Sequence, residues 1–365
     1  MTKKTKILIT VGGTGGHVFP GYNLAKHFIE QGIGVKLIID ERGKKYLKYF
    51  NNLPYSVLPS SPLIKKNILS IIFSSILIVY SILRSFFYLI FNRPSIIFGM
   101  GGYASFPICI IAYILRIRFI IYENNLIIGK ANKYLLPFTE KIFVAYRELE
   151  GIPKKYQNKI LETGNIIRKE IINFSQLNPE MVRSEKICIL VLGGSQAAKI
   201  FAEKLPHIFQ RCSNSGISLK ILQQCLPNQN EKLRLFYEKA NIEFESFNFS
   251  NNIIEYFSKT NIAITRSGSS MLAELTNARI PFISVPLPTS ADNHQLKNAL
   301  FYEKKNFSFL VEEKDINEKM FNLIKDIQEN KSKITNILKN QRQYSDKKVY
   351  NNINHILKEL IDEKN

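Results

Sequence analysis

Cysteine is scarce and scattered: Cys109, Cys188, Cys212 and Cys225 are the only four in 365 residues, and no two stand in a Cys-x-x-Cys spacing. That excludes a disulfide framework and speaks against a metal site. Reduced, mostly structural thiols in a cytosolic protein are the expectation. Aspartate is scarce as well. The six present are well separated and never form Asp-x-Asp. The chelating acid pair with which some nucleotide-sugar transferases hold a diphosphate is therefore missing. Acidic residues as a class are few, 30 against 50 Lys and Arg, for a formal charge of +20. Such a surplus suits nucleotides, diphosphates, acidic lipids or nucleic acid. A chain this rich in Lys, Ile and Asn reaches the same surplus from background composition alone, so the placement of the charges carries more than their sum. No apolar signal region precedes the first strand-like run, which points to the cytosol.

What is present begins with Gly12-Gly13-Thr14-Gly15-Gly16-His17, followed by Val18-Phe19-Pro20-Gly21. It lies between the strand-like Lys6-Ile7-Leu8-Ile9-Thr10-Val11 and a helix-like run from Tyr22 to Ile29. Such a turn places backbone N–H groups and a helix N-terminus where an anion can sit. A dinucleotide fingerprint needs glycines at i, i+2 and i+5. From Gly13 these fall on Gly13, Gly15 and Val18, so the last is missing and a plain NAD-binding turn is disfavoured. Asp40, at the end of a second strand-like run, is the one feature favouring that rival, because it lies near the position of a ribose-binding acid. An acidic strand end beside Glu41-Arg42 is otherwise an ordinary solvated turn. His17 is the unexplained extra: a helix start disfavours its imidazolium, and a neutral imidazole is what a general base near pH 7 requires.

At this length two domains are expected. Ile68 to Phe91 is almost continuously apolar, with Arg84 its only charge. Three readings stay open: a buried helix, a membrane span, and a helix lying on lipid with one face. The recurring serines (Ser70, Ser74, Ser75, Ser81, Ser85) and Arg84 speak against the span. Further on, the turns Gly99-Met100-Gly101-Gly102-Tyr103 and Glu123-Asn124-Asn125 both follow strand-like runs. Ligands of open α/β sheets bind at that C-terminal strand edge. The pattern restarts at Lys186 and delivers Gly193-Gly194-Ser195 and Arg266-Ser267-Gly268-Ser269-Ser270, each opening a helix. Glu274, five residues beyond Ser269, can accept from the two hydroxyls of a ribose. Arg168 can give a guanidinium to a diphosphate. Gln295 and Asn298, in the stretch from Asp292, suit sugar hydroxyls.

Together, in order, Gly12 to Gly21, Gly101-Gly102-Tyr103, Glu123-Asn124-Asn125, Gly164-Asn165 with Arg168, Gly193-Gly194-Ser195-Gln196, Arg266-Ser267-Gly268, and Asp292-Asn293-His294-Gln295 with Asn298 resemble the MurG family of peptidoglycan glycosyltransferases over nearly the whole chain. The resemblance implies an α/β GT-B fold, two doubly wound Rossmann-like domains facing a cleft. It implies residues 1–164 as an acceptor and membrane domain, 165–340 as a UDP-GlcNAc domain, and 341–365 as a helix packing back on the first. It further implies inverting transfer of GlcNAc from UDP-GlcNAc to the C4 hydroxyl of undecaprenyl-diphosphate-linked N-acetylmuramoyl-pentapeptide. The enzyme would work at the cytoplasmic face of the inner membrane, peripherally, with no metal or other cofactor and no nucleic-acid partner. By similarity, Thr14, Gly15, Gly16 and Asn125 line the acceptor and donor sugar. Arg168, Ser195, Ser269, Ser270, Met271, Glu274, Gln295 and Asn298 hold the donor, with Ser250 near the uracil. His17 is the favoured base; activation by Glu123, or binding by His17 without proton transfer, stays open. The family's apolar patch ringed by basic residues matches Ile68 to Phe91 and favours the lipid-surface reading.

The chain departs from the family pattern at Tyr122 and Asn124, which replace a His and a Gln, at Ala197, and at Ile166. Three rivals remain: a GT-B transferase with another lipid acceptor, a nicotinamide oxidoreductase using Asp40, and an inactive scaffold on a lipid surface.

Overall fold

The computed structural model describes residues 6–50, 53–60, 68–174, 186–194, 198–250 and 252–362. Two compact units emerge. One holds the chain up to Ile167 together with the segment from Asp346, and the other runs from Arg168 to Ser345.

The first unit is built on β1 (Lys6–Val11), α1 (Gly15–Glu30), β2 (Gly34–Ile39), β3 (Tyr55–Val57), α2 (Ile68–Asn92) and β4 (Ile96–Gly99). It continues with α3 (Ser105–Ile114), β5 (Phe119–Glu123), α4 (Lys130–Leu135), β6 (Lys141–Val144) and β7 (Ile160–Glu162). Its seven strands run parallel in the order β3-β2-β1-β4-β5-β6-β7. Strands covered on both faces read as apolar runs, and β4 to β6 are mostly Ile, Phe and Val for that reason. Strand order reverses between β1 and β4, so the turns leaving these neighbours open on the same edge.

The second unit begins with α5 (Lys169–Asn173), β8 (Ile187–Leu192), α6 (Lys199–Asn214), β9 (Leu219–Gln224), α7 (Pro227–Lys239) and β10 (Glu243–Phe247). There follow α8 (Ile253–Phe257), β11 (Ile262–Thr265), α9 (Ser269–Asn277), β12 (Phe282–Ser284), α10 (His294–Lys304) and β13 (Phe309–Leu310). Helices α11 (Ile316–Glu329) and α12 (Ser332–Gln341) close it. Its sheet is again parallel, β10-β9-β8-β11-β12-β13. The two-residue β13 carries too short a pattern to be read from sequence.

Helix α13 (Val349–Asp362) belongs to the first unit. On it, Tyr350 donates to the Ile167 carbonyl at 2.6 Å and Asn352 to that of Thr163 at 3.3 Å. Asn354 meets His27 Nε2 at 3.1 Å. His27 is thus a buried packing residue of α1, where its surroundings in the sequence suggest only an ordinary surface or helix histidine.

Helix α2 turns most of its large apolar side chains outward. Its buried positions are Ser74, Ser81, Ser85 and Leu89, spaced along one stripe. Ile71, Ile72, Phe73, Ile76, Val79, Tyr80, Leu83, Phe87, Ile90 and Phe91 are exposed. Small serines let α2 lie close on α3, and Ser85 Oγ is satisfied by the Ser81 carbonyl at 2.7 Å. The plain core reading of this segment is therefore corrected: Ser74, Ser81, Ser85 and Leu89 face inward with Ile82, Phe86 and Tyr88 partly buried beside them, while most of the large apolar side chains face outward. By length and composition, Ile71–Asn92 is able to cross a membrane.

Candidate functional site

In the first unit, two glycine turns meet at His17, and a third turn, after β5, ties to them at Gly16. The helix α1 starts at Gly15, earlier than the apolar pattern indicates, so His17 sits in its first turn. The Thr14 carbonyl accepts from the N–H groups of His17 and Val18 at 3.1 and 3.2 Å. Thr14 and Gly16 are exposed, Gly15 is buried and His17 is half-buried. The imidazole lies against the second glycine turn. A Cβ on Gly101 would stand 2.9 Å from both Cε1 and Nδ1 of His17, and one on Gly102 would stand 3.0 Å from the Gly12 carbonyl oxygen. Both glycines have positive φ, +90° and +74°, a region that side chains disfavour. That turn is fixed by Ser105 Oγ, which donates to the Gly101 carbonyl at 2.9 Å.

The third turn follows β5. Glu123 is buried and both its oxygens are engaged. Oε1 accepts from Asn125 Nδ2 at 2.9 Å and Asn125 N at 3.2 Å; Oε2 accepts from Gly129 N at 2.9 Å and Asn132 Nδ2 at 3.0 Å. Glu123 therefore shapes the loop that presents Asn125. With four donors on it, its carboxylate is not placed to take a proton from a substrate. Asn124 bridges this loop to the first turn through Gly16 O, 3.3 Å from its Nδ2. The bridge has a reason in α1: Pro20 lacks the N–H that would reach Gly16 O four residues back, and the Asn124 amide takes that place. Asn124 and Asn132 position this loop, a role that the motif itself does not assign to them. The Pro20-to-Gly16 spacing was the available signal. Tyr122, where the resembled family has His, points elsewhere: its hydroxyl accepts from Ile166 N at 3.0 Å. The Tyr122 hydroxyl takes no part in the bonds that hold the loop after β5.

Asp40 proves to be neither a ribose ligand nor a solvated turn acid. It is buried and accepts from Gly13 N at 3.0 Å, Gly43 N at 2.8 Å, Ser60 Oγ at 2.9 Å, and Arg42 at 2.9 and 2.7 Å. Burial pushes the carboxyl up, but the bonds from Gly13 and Arg42 and the Arg42 charge outweigh it and hold the pKa below the usual range. Its role is to pin the Gly12–Gly13 turn, and the one feature favouring the nicotinamide rival is thereby spent on structure.

In the second unit Arg168, Ser269, Ser270, Met271, Glu274, Gln295 and Asn298 gather around α9 and the turn that precedes it. Gly268 is its N-cap, and a Cβ there would meet nothing within 4 Å, so the helix start opens on space. Ser269, Ser270 and Met271 form the first turn. Gln295 Oε1 accepts from Ser267 N at 3.2 Å and Leu287 N at 3.0 Å, and Asn298 Nδ2 donates to the Ser267 carbonyl at 3.1 Å. These two side chains hold the turn after β11 against α10. Arg266 is likewise engaged, with the carbonyls of Val285 and Pro286 and with Glu313. Glu274 is buried and forms a two-pronged pair with Arg168: Nε to Oε1 is 2.9 Å and Nη2 to Oε2 is 2.6 Å. Burial works against the Arg168 charge, but Glu274 more than offsets it and raises the pKa. Ser250 lies after β10, its hydroxyl accepting from Asn252 N at 3.1 Å. Ser195 lies outside the described residues. Among the described residues no three His, Cys, Asp or Glu side chains cluster as metal ligands would.

Comparison with known proteins agrees with this architecture. Residues 7–144 match the model of the glycosyltransferase family 28 N-terminal domain, and residues 188–356 that of the family 28 C-terminal domain. A UDP-N-acetylglucosamine--N-acetylmuramyl-(pentapeptide) pyrophosphoryl-undecaprenol N-acetylglucosamine transferase of Pelagibacter ubique is 35% identical, covering 98% of this chain and 99% of its own length. The Rickettsia canadensis protein of the same name is 33% identical over 93% of this chain and 96% of its own. A crystal structure of Acinetobacter baumannii MurG, 22% identical, superposes with a TM-score of 0.77 over 97% of this chain and 99% of that one, and shares the fold. The chain belongs to glycosyltransferase family 28 and, within it, to the MurG family.

Proposed function

We propose that the protein transfers GlcNAc from UDP-GlcNAc to the C4 hydroxyl of undecaprenyl-diphosphate-linked N-acetylmuramoyl-pentapeptide, with inversion at the anomeric carbon. The observation that carries the reading is His17, seated in the first turn of α1 against the Gly101–Gly102 turn and flanked by exposed Thr14 and Gly16. His17 takes the proton of the acceptor hydroxyl as that oxygen bonds to the anomeric carbon and the bond to UDP breaks. Asn125, fixed by Glu123, sits on the loop that Asn124 ties to Gly16, the residue before His17. The leaving diphosphate gains negative charge. Arg168 and the amides at the start of α9 stabilise it, in the role a metal plays elsewhere. Glu274 receives the ribose hydroxyls, and the segment at Ser250 lies at the uracil.

The first unit binds the acceptor at the cytoplasmic face of the membrane. Support comes from the outward apolar face of α2 and from charge: the first unit's sequence holds 26 Lys and Arg against 12 Asp and Glu, which is 14 of the chain's surplus of 20. The test is incubation with labelled UDP-GlcNAc and a short-chain muramoyl diphosphate acceptor. Label should pass to the acceptor; none passing, beside an active control enzyme, rejects the reading.

A further inference from the structure

Arg168 and Glu274 each have the chemistry to hold one part of a nucleoside diphosphate, yet in the structure they hold one another. Both carboxylate oxygens face the guanidinium, and the two side chains are only 26% and 9% exposed. We propose that this pair selects ligands that carry a ribose diol and a diphosphate together, by an exchange of partners. The inference rests on the reading of the second unit as the nucleotide site.

A ligand offering only a diol takes Glu274 and leaves a shielded guanidinium without its counter-charge. A ligand offering only phosphates takes Arg168 and strands the carboxylate. Removing one partner from a shielded, two-pronged ion pair is costly, because the remaining charge is neither solvated nor paired. A nucleoside diphosphate satisfies both sides in one step: Glu274 passes to the diol and Arg168 to the phosphates. Nucleosides and inorganic diphosphate are thereby held weakly when each comes alone. Uridine is neutral and has no attraction of its own for inorganic diphosphate, so any mutual help between the two must come from the protein.

Calorimetric titration of the full chain tests this. UDP is titrated first; if it does not bind, the nucleotide-site reading fails and the inference fails with it. If UDP binds, uridine is titrated alone and then with saturating inorganic diphosphate. The expected result is a uridine Kd about tenfold lower with diphosphate present, with a reciprocal gain for diphosphate. In Arg168→Gln, uridine alone should bind more tightly than to the wild type, diphosphate should no longer help it, and UDP should bind more weakly. Uridine binding that diphosphate leaves unchanged or weakens, in a protein that binds UDP, overturns the exchange alone. The wild-type titration decides the question even if the variant fails to fold.

Discussion

His17 and Asp40 flank the same glycine turn and are used in opposite ways, one at the surface of the site and one beneath it. If His17 is the base, His17→Ala should lower kcat by about 10²- to 10⁴-fold while the Kd for UDP stays nearly unchanged. Near-normal turnover would return the proton to another acceptor. Asp40→Asn should destabilise the protein by about 1–3 kcal/mol at neutral pH, read by denaturant unfolding. The pH dependence has a fixed sign. The folded carboxyl titrates below its unfolded value, so its stabilisation is full above about pH 4 and drains away as pH falls through the lower, folded pKa. The gap between wild type and Asp40→Asn should therefore narrow below about pH 4. Motif order located His17, Asn125, Arg168 and Glu274 as candidates. It did not reveal that Asp40 reaches back 27 residues to Gly13, or that Arg168 meets Glu274 across 106. Spacing along a chain carries no record of such partners.

Among the elements, α2 separates what hydropathy reports from what packing decides. Its composition is plain in the sequence, where the serines speak against a span. Which face turned inward depended on α3, where small side chains allow close approach and large ones do not. The lipid-surface reading predicts that Ile76→Asp with Phe87→Asp weakens binding to anionic vesicles at least about tenfold, since each removes a large apolar anchor. Both positions are solvent-exposed, so unfolding free energy should move by less than about 0.5 kcal/mol. Vesicle binding that survives the double change would assign attachment to another surface.

Across the whole molecule, the two parallel sheets were legible because strands buried on both faces repeat an apolar signature between glycine turns. The short β13 escaped, since two residues have no periodicity to show. Ligand response offers a check at this scale. UDP at about a hundred times its Kd should stabilise the protein by about 2.7 kcal/mol, whereas NAD at the same concentration should leave the thermal midpoint unmoved. A shift with NAD and none with UDP would revive the oxidoreductase. The return of α13 to the first unit has a consequence for synthesis on the ribosome. Residues 168–345 form a contiguous unit and have everything they need once they have emerged. The first unit, although made earlier, must wait for residues 346–362. Until then His27 lacks Asn354, Arg118 lacks the Leu360 carbonyl, and Thr163 and Ile167 lack Asn352 and Tyr350. The half of the chain translated first is thus the half completed last, and its apolar α2 is already exposed to whatever chaperone or lipid surface is near.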